Sequence, residues 1–82
     1  MNRKLVVLTA SWCTACPGVK KVAELVTRDA GIPLEIIDIE EFPEYGVGIT
    51  QLPTVQLRID DQIAAQDSGL LRRDTIQHLI GV

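Results

Sequence analysis

The sequence predicts a single α/β domain over residues 1–82: a four-stranded mixed sheet flanked by helices, in the order β-α-β-β-β-α. Three features carry the prediction. An apolar run at 4–9 is followed by an amphipathic stretch, Cys16–Ala30, and by a second apolar run at 34–39. Strand, helix and strand in so short a span form a parallel, right-handed βαβ unit. Downstream, the alternating stretch Thr54–Ile59 meets a weaker strand at 62–66 across Asp60-Asp61, which is the pattern of a hairpin. A parallel pair plus a hairpin makes a mixed sheet whose apolar faces helices must cover.

The first run, Lys4-Leu5-Val6-Val7-Leu8-Thr9, suits a strand covered on both faces. In the helix, Val19, Val22, Ala23, Val26 and Ala30 fall on one stripe, and Lys20, Lys21, Glu24 and Arg28 fall mostly off it. Pro17 fits only a first turn, where backbone N–H groups lack helical partners anyway. The helix is therefore expected to start near Cys13, with Cys13 at the exposed end and Cys16 inside the turn. Gly31, followed by Pro33, is the expected terminator. The connection 40–51 is acidic and then glycine-bearing, with a short helical turn at Glu44-Tyr45 ended by Gly46 or Gly48. Phe42 and Tyr45 are expected as partial core residues beneath it. In the third strand Val55, Leu57 and Ile59 share a face. After Gly69 comes a last helix at about 72–80, with Ile76, Leu79 and Ile80 as its core face and Gly81 at its end. His78, the one histidine, is expected on its surface.

Composition bounds the function. The chain is 46% apolar with one Trp, one Tyr and one Phe, enough for a packed but largely aliphatic core. The net charge is -3, with no basic stripe for nucleic acid and no polybasic cluster for anionic lipid. The apolar run 5–8 falls short of the roughly 7–15 residues of a secretory signal core. No segment reaches the ~18 apolar residues of a transmembrane helix. A cytoplasmic location is the expectation.

The chemistry is concentrated in Ser11-Trp12-Cys13-Thr14-Ala15-Cys16-Pro17, which holds both cysteines of the chain. A thiol at a helix start faces unpaired backbone N–H groups and the positive end of the helix dipole. Both favour the thiolate, the species that attacks disulfides. A second thiol one helical turn later can attack the resulting mixed disulfide and release it. Cys13 is thus the expected nucleophile and Cys16 the resolving thiol. A bridge between them closes too small a loop to act as a structural staple, and the pair fits catalysis in a reducing compartment. The rival chemistry is a metal or iron–sulfur carrier built on the same cysteines. Zinc wants four ligands and the pair supplies two, so that reading requires a site shared between subunits.

Two segments, read together, resemble the thioredoxin superfamily. Ala10-Ser11-Trp12-Cys13-Thr14-Ala15-Cys16 resembles the segment in which Trp directly precedes the first active-site Cys. Gly48-Ile49-Thr50-Gln51-Leu52-Pro53-Thr54 resembles the apolar-residue–Pro–Thr segment in which the peptide bond before proline is cis. Gly69-Leu70-Leu71, leading into the last helix, resembles the thioredoxin C-terminus. The resemblance implies a minimal thioredoxin fold, with Leu52–Pro53 cis and beside the cysteines. It implies a small monomeric dithiol–disulfide oxidoreductase, an electron carrier in cell redox homeostasis that reduces disulfide-containing protein substrates. No bound cofactor is implied beyond the Cys13–Cys16 disulfide, with electrons drawn from NADPH through a thioredoxin-reductase-like flavoenzyme. Trp12, Thr14, Ala15, Leu52, Pro53, Ser68 and Gly69 become the expected substrate-contacting residues, with the backbone of Leu52 free to pair with an extended target.

Sub-class markers differ from those of glutaredoxins that use glutathione, which typically carry a basic residue near the first Cys and a Gly-Gly-x-Asp-like segment. Here Ser11-Trp12 and Asp67-Ser68-Gly69 stand at those places. A glutathione-dependent glutaredoxin is accordingly the alternative reading. Gln51-Leu52-Pro53 and Ser68-Gly69 also look like the small redoxins that serve ribonucleotide reductase, with Leu70 at their usual aromatic position. Short thioredoxin-like proteins of archaea and phages are similar in size. Thioredoxins bury an aspartate in the first strand; the matching position is about Val7, and no acid lies between Lys4 and Cys13. Proton transfer from Cys16 is then left to water or to Asp38, Glu40 or Glu41.

Overall fold

A computed structural model describes residues 2–69 and 71–81. The elements are β1 (Arg3–Thr9), α1 (Cys16–Ala30), β2 (Leu34–Asp38), a 3₁₀ turn at Pro43–Gly46, β3 (Thr54–Ile59), β4 (Gln62–Ser68) and α2 (Arg73–Leu79). The sheet order is β2-β1-β3-β4. β1 runs parallel to β2, with Leu5 opposite Leu34 and Leu8 opposite Ile37. It runs antiparallel to β3, with Leu8 opposite Thr54 and Arg3 opposite Ile59. β3 and β4 form the hairpin, joined by Asp60 and Asp61, both at positive φ (51° and 67°). Two consecutive positive-φ residues match the right-handed twist of the flanking strands, and short polar side chains tolerate that conformation best after glycine.

The main core lies on one face of the sheet. Leu5, Val7, Val55 and Leu57 meet Val19, Ala23 and Val26 of α1 and Ile76 and Ile80 at α2, all buried. Val22 and Ala30 pack at the margin, so the whole predicted stripe of α1 faces the sheet. Helices were expected over both faces, yet both pack on this one. The second face has only a small buried cluster of Val6, Leu8 and Ile37. Ile39, Tyr45, Ile49 and Leu52 cover it from the 39–52 connection. The reason is polarity: the same face continues through Lys4, Gln56 and Arg58, which need no helix above them. The Gln56 amide donates to Gln66 at 2.9 Å, and Arg58 donates twice to Gln56 Oε1. The Arg58 guanidinium also lies 5.3 Å from the Tyr45 ring centroid. Phe42, expected as a partial core residue, is largely exposed and meets Tyr45 edge-on.

α1 ends as expected at Gly31, at φ 70°, whose N–H returns to the Arg28 and Thr27 carbonyls. Its span, Cys16–Ala30, is that of the amphipathic stretch, and the expectation that its first turn reaches back to near Cys13 is corrected. Pro17 explains the difference. Within a helix that included Cys13, the proline ring would clash with the carbonyl four residues back, which is that of Cys13. Residues 11–15 therefore form turns instead. No helix is long and apolar enough to cross a membrane among the described residues.

Candidate active site

The C-terminal end of β1 delivers the chain into the turn that carries the cysteines. The Cys13 amide donates to the Ala10 carbonyl at 3.1 Å, and the Cys16 amide to the Cys13 carbonyl at 3.4 Å. These bonds place Cys13 just ahead of α1 and Cys16 in its first turn. The two form a disulfide with Cα atoms 5.4 Å apart, within the range such bridges need. Cys13 is 8% exposed and Cys16 1%. Cys13 is thus nearly covered in the disulfide form, which corrects the expectation of an exposed residue, but it is the more accessible of the two. Trp12 beside it is 64% exposed.

The helix end at these sulfurs is electrostatically open. Ala15 makes no side-chain cap, and no acid lies in the first turn of α1. The Cys16 amide is bonded to the Cys13 carbonyl and Pro17 has no N–H, so it is chiefly the positive dipole end of α1 that is left to whatever negative charge forms at Cys13. Thr14 is exposed and Ala15 half-buried in the turn between the sulfurs.

The loop before β3 comes to the same end of the sheet. Thr54 lies opposite Leu8, so Pro53 sits alongside the last residues of β1. The Leu52–Pro53 bond is cis, and Pro53 is fully buried. The Thr54 hydroxyl donates to the Gln51 carbonyl at 2.6 Å and closes this loop on itself. The Gly69 amide donates to the Pro53 carbonyl at 2.9 Å, bringing the end of β4 to it. Ser68 ends β4, exposed, opposite Thr54. Leu70 lies outside the described residues.

Trp12, Ile39, Ile49, Thr50, Gln51 and Leu52 line one shallow groove of about 360 Å³. It joins the cysteine turn to the proline loop. Ile39 and Ile49 were not singled out by sequence reasoning: Ile39 adjoins no motif, and Ile49, within the proline segment, carries no polar group or thiol to mark it; the chain's return after β2 places both here. The acids Asp38, Glu40 and Glu41 cluster at the end of β2. The Glu40 carboxylate bonds Ser11, and Asp38 Oδ1 accepts the Glu40 amide at 2.8 Å. Val7 is fully buried within the main core, with no acid beneath the disulfide on β1. His78 is exposed on α2. No group of three or more His, Cys, Asp or Glu able to hold a metal ion occurs among the described residues.

A four-stranded mixed sheet with a Cys-x-x-Cys disulfide at its first strand–helix junction and a cis-proline loop beside it is a thioredoxin fold. Solved thioredoxins superimpose on it closely. A thioredoxin variant from Halobacterium salinarum matches at a TM-score of 0.83 and 23% identity, over 96% of this chain and 72% of that one. Thioredoxin 1 from Thermosipho africanus matches at 0.81 and 18% identity, over 94% and 89%. The oxidised thioredoxin of Plasmodium falciparum matches at 0.80 and 21% identity, over 96% and 78%. No family model and no curated protein sequence matches the chain.

Proposed function

We propose that this protein is a small dithiol–disulfide oxidoreductase that reduces protein disulfides through Cys13 and Cys16. The observation that carries the reading is the Cys13–Cys16 disulfide at the uncapped start of α1. In the reduced form, the Cys13 thiolate attacks one sulfur of a target disulfide. The target bond breaks, its second sulfur leaves as a thiolate, and a mixed disulfide with Cys13 remains. The Cys16 thiolate then attacks the Cys13 sulfur, the target departs fully reduced, and the Cys13–Cys16 bond re-forms. The α1 start stabilises the Cys13 thiolate. The groove between Trp12 and Leu52 receives the target as an extended segment, paired with the backbone beside Pro53. An NADPH-dependent flavoenzyme of the thioredoxin-reductase type recharges the carrier in the cytoplasm.

The test is NADPH-coupled reduction of insulin, run with thioredoxin reductase and, in parallel, with glutathione and its reductase. Turnover with thioredoxin reductase alone supports this reading and makes ribonucleotide reductase the next target to assay. Turnover with glutathione alone assigns the protein to the glutaredoxin type. Silence in both, with free thiols confirmed, overturns the proposal.

A further inference from the structure

The Glu40 carboxylate reaches from the end of β2 to the turn that carries the cysteines. Its Oε1 accepts the Ser11 backbone N–H at 2.9 Å and the Ser11 hydroxyl at 2.6 Å. Both ends of this contact are anchored. Ser11 and Trp12 are the central residues of the turn that the Cys13 amide closes on Ala10. On the other side, the Ile39 amide donates to the Thr9 carbonyl at 2.9 Å, extending the β1–β2 ladder. The Glu40 amide is held by Asp38 Oδ1, and the Glu41 and Phe42 amides close on the Asp38 carbonyl. The two Ser11 bonds, the hydroxyl first, hold the Glu40 carboxyl below its ordinary value.

The neighbours of this pair give it a consequence. Trp12 follows Ser11, Ile39 precedes Glu40, and both line the groove beside the disulfide. The Ser11–Glu40 contact therefore ties together the two chain segments that contribute Trp12 and Ile39 to the groove. The pair is exposed, so its effect on global stability is small, whereas its effect on the local placement of Trp12 is direct.

We propose that Glu40 is a positioning residue for disulfide exchange: through Ser11 it fixes Trp12, and with it the width of the groove that holds a protein target beside Cys13. The role rests on the oxidoreductase reading above, but the contact can be tested without it. Trp12 is the only tryptophan, so its fluorescence reports the turn alone.

The experiment compares wild type with Glu40→Ala, Glu40→Gln and Ser11→Ala, each confirmed folded by circular dichroism. Loss of the acceptor in Glu40→Ala should raise the KM for insulin roughly three- to tenfold with little change in kcat. Exchange with hydroxyethyl disulfide, too small to span the groove, should be unchanged, since the Glu40 carboxylate is engaged by Ser11; a loss here would make Glu40 the acceptor of the Cys16 proton and overturn the positioning role. Trp12 anisotropy should fall and acrylamide quenching rise. Glu40→Gln keeps an oxygen acceptor and should restore KM to within about twofold of wild type. Ser11→Ala, which loses one bond of the two, should fall between. Unchanged KM and anisotropy in Glu40→Ala would overturn the proposal. So would equal impairment in Glu40→Ala and Glu40→Gln, since the charge and not the contact would then matter. If Glu40→Ala does not fold, Ser11→Ala with wild-type KM and anisotropy overturns it as well. A wild type that reduces no disulfide defeats the oxidoreductase reading, and unaltered Trp12 anisotropy in Glu40→Ala separately defeats the clamp.

Discussion

The Gly69 amide donates to the Pro53 carbonyl at 2.9 Å, so the end of β4 is bonded to the loop beside the cysteines. Gly69 makes this approach at φ 93°, a conformation that L side chains rarely adopt. A Cβ there would also lie 3.2 Å from the Gln51 side-chain nitrogen. Gly69→Ala should therefore cost about 1–3 kcal/mol and disturb the proline loop. Urea unfolding checks this, and a midpoint equal to wild type would show that the loop accommodates the methyl group without strain.

Removing the sulfurs one at a time should separate the two chemical steps. Cys13→Ser should abolish insulin reduction, because the one remaining thiol, Cys16, is buried and cannot make the first attack on a protein target. Cys16→Ser should instead accumulate mixed disulfides with its targets, visible as reductant-sensitive adducts by non-reducing electrophoresis and mass spectrometry. Normal turnover by Cys16→Ser would contradict the two-step mechanism.

Ile76 tests what holds α2 in place. It is fully buried against the main core, while the helix itself is short (Arg73–Leu79) and has no side-chain cap at its start. So short a helix owes its stability to tertiary packing. Ile76→Ala should cost about 2–5 kcal/mol, a large share of the ~5–15 kcal/mol typical of a domain. Chemical denaturation gives the number, and a loss below 1 kcal/mol would mean that α2 contributes little to the core.

Two groups should shape the pH dependence of stability at opposite ends. Lys4 donates to Glu35 at 2.8 Å. That bond, against a smaller opposing desolvation and with help from nearby Glu35, Asp61 and Tyr45 charges, raises the Lys4 pKa above its ordinary 10.5. A raised folded pKa means stability fully present below the unfolded value and lost as pH climbs through the folded one. Glu40 is the mirror case. Its pKa is lowered from 4.5, so its contribution is present above that value and is lost as pH falls through the folded pKa. In urea midpoints followed against pH, Lys4→Met should flatten the alkaline limb and Glu40→Ala the acid limb, each modestly because Glu40 is exposed and Lys4 only half-buried at the surface. A limb unaltered by its substitution would assign that titration elsewhere.

Much of the fold was legible because it is written in local periodicity. The α1 stripe from Val19 to Ala30, the stop at Gly31 and the turn at Asp60-Asp61 each depend on residues within a turn or two of one another. The helix start was misplaced because two local signals compete: Cys-x-x-Cys spacing suggests one helical turn, while Pro17 forbids a helical Cys13. The geometry of the candidate site was legible where a motif carried it: the structure joins Cys13 to Cys16 and makes the Leu52–Pro53 bond cis. It was not legible at Ile39 or at the Ser11–Glu40 contact, whose partners stand 29 residues apart.

By itself, then, the sequence determined the order of elements, the buried stripe of each and the spacing of the cysteine pair, since short-range sterics and hydrophobic period act on neighbouring residues. Only the tertiary structure decided that both helices share one face of the sheet. It alone brought the 39–52 connection over Val6, Leu8 and Ile37, and Glu40 to the turn that leads into Cys13. Those outcomes depend on which strands pair and in what register, and pairing is settled by the packing of the whole sheet rather than by any one segment.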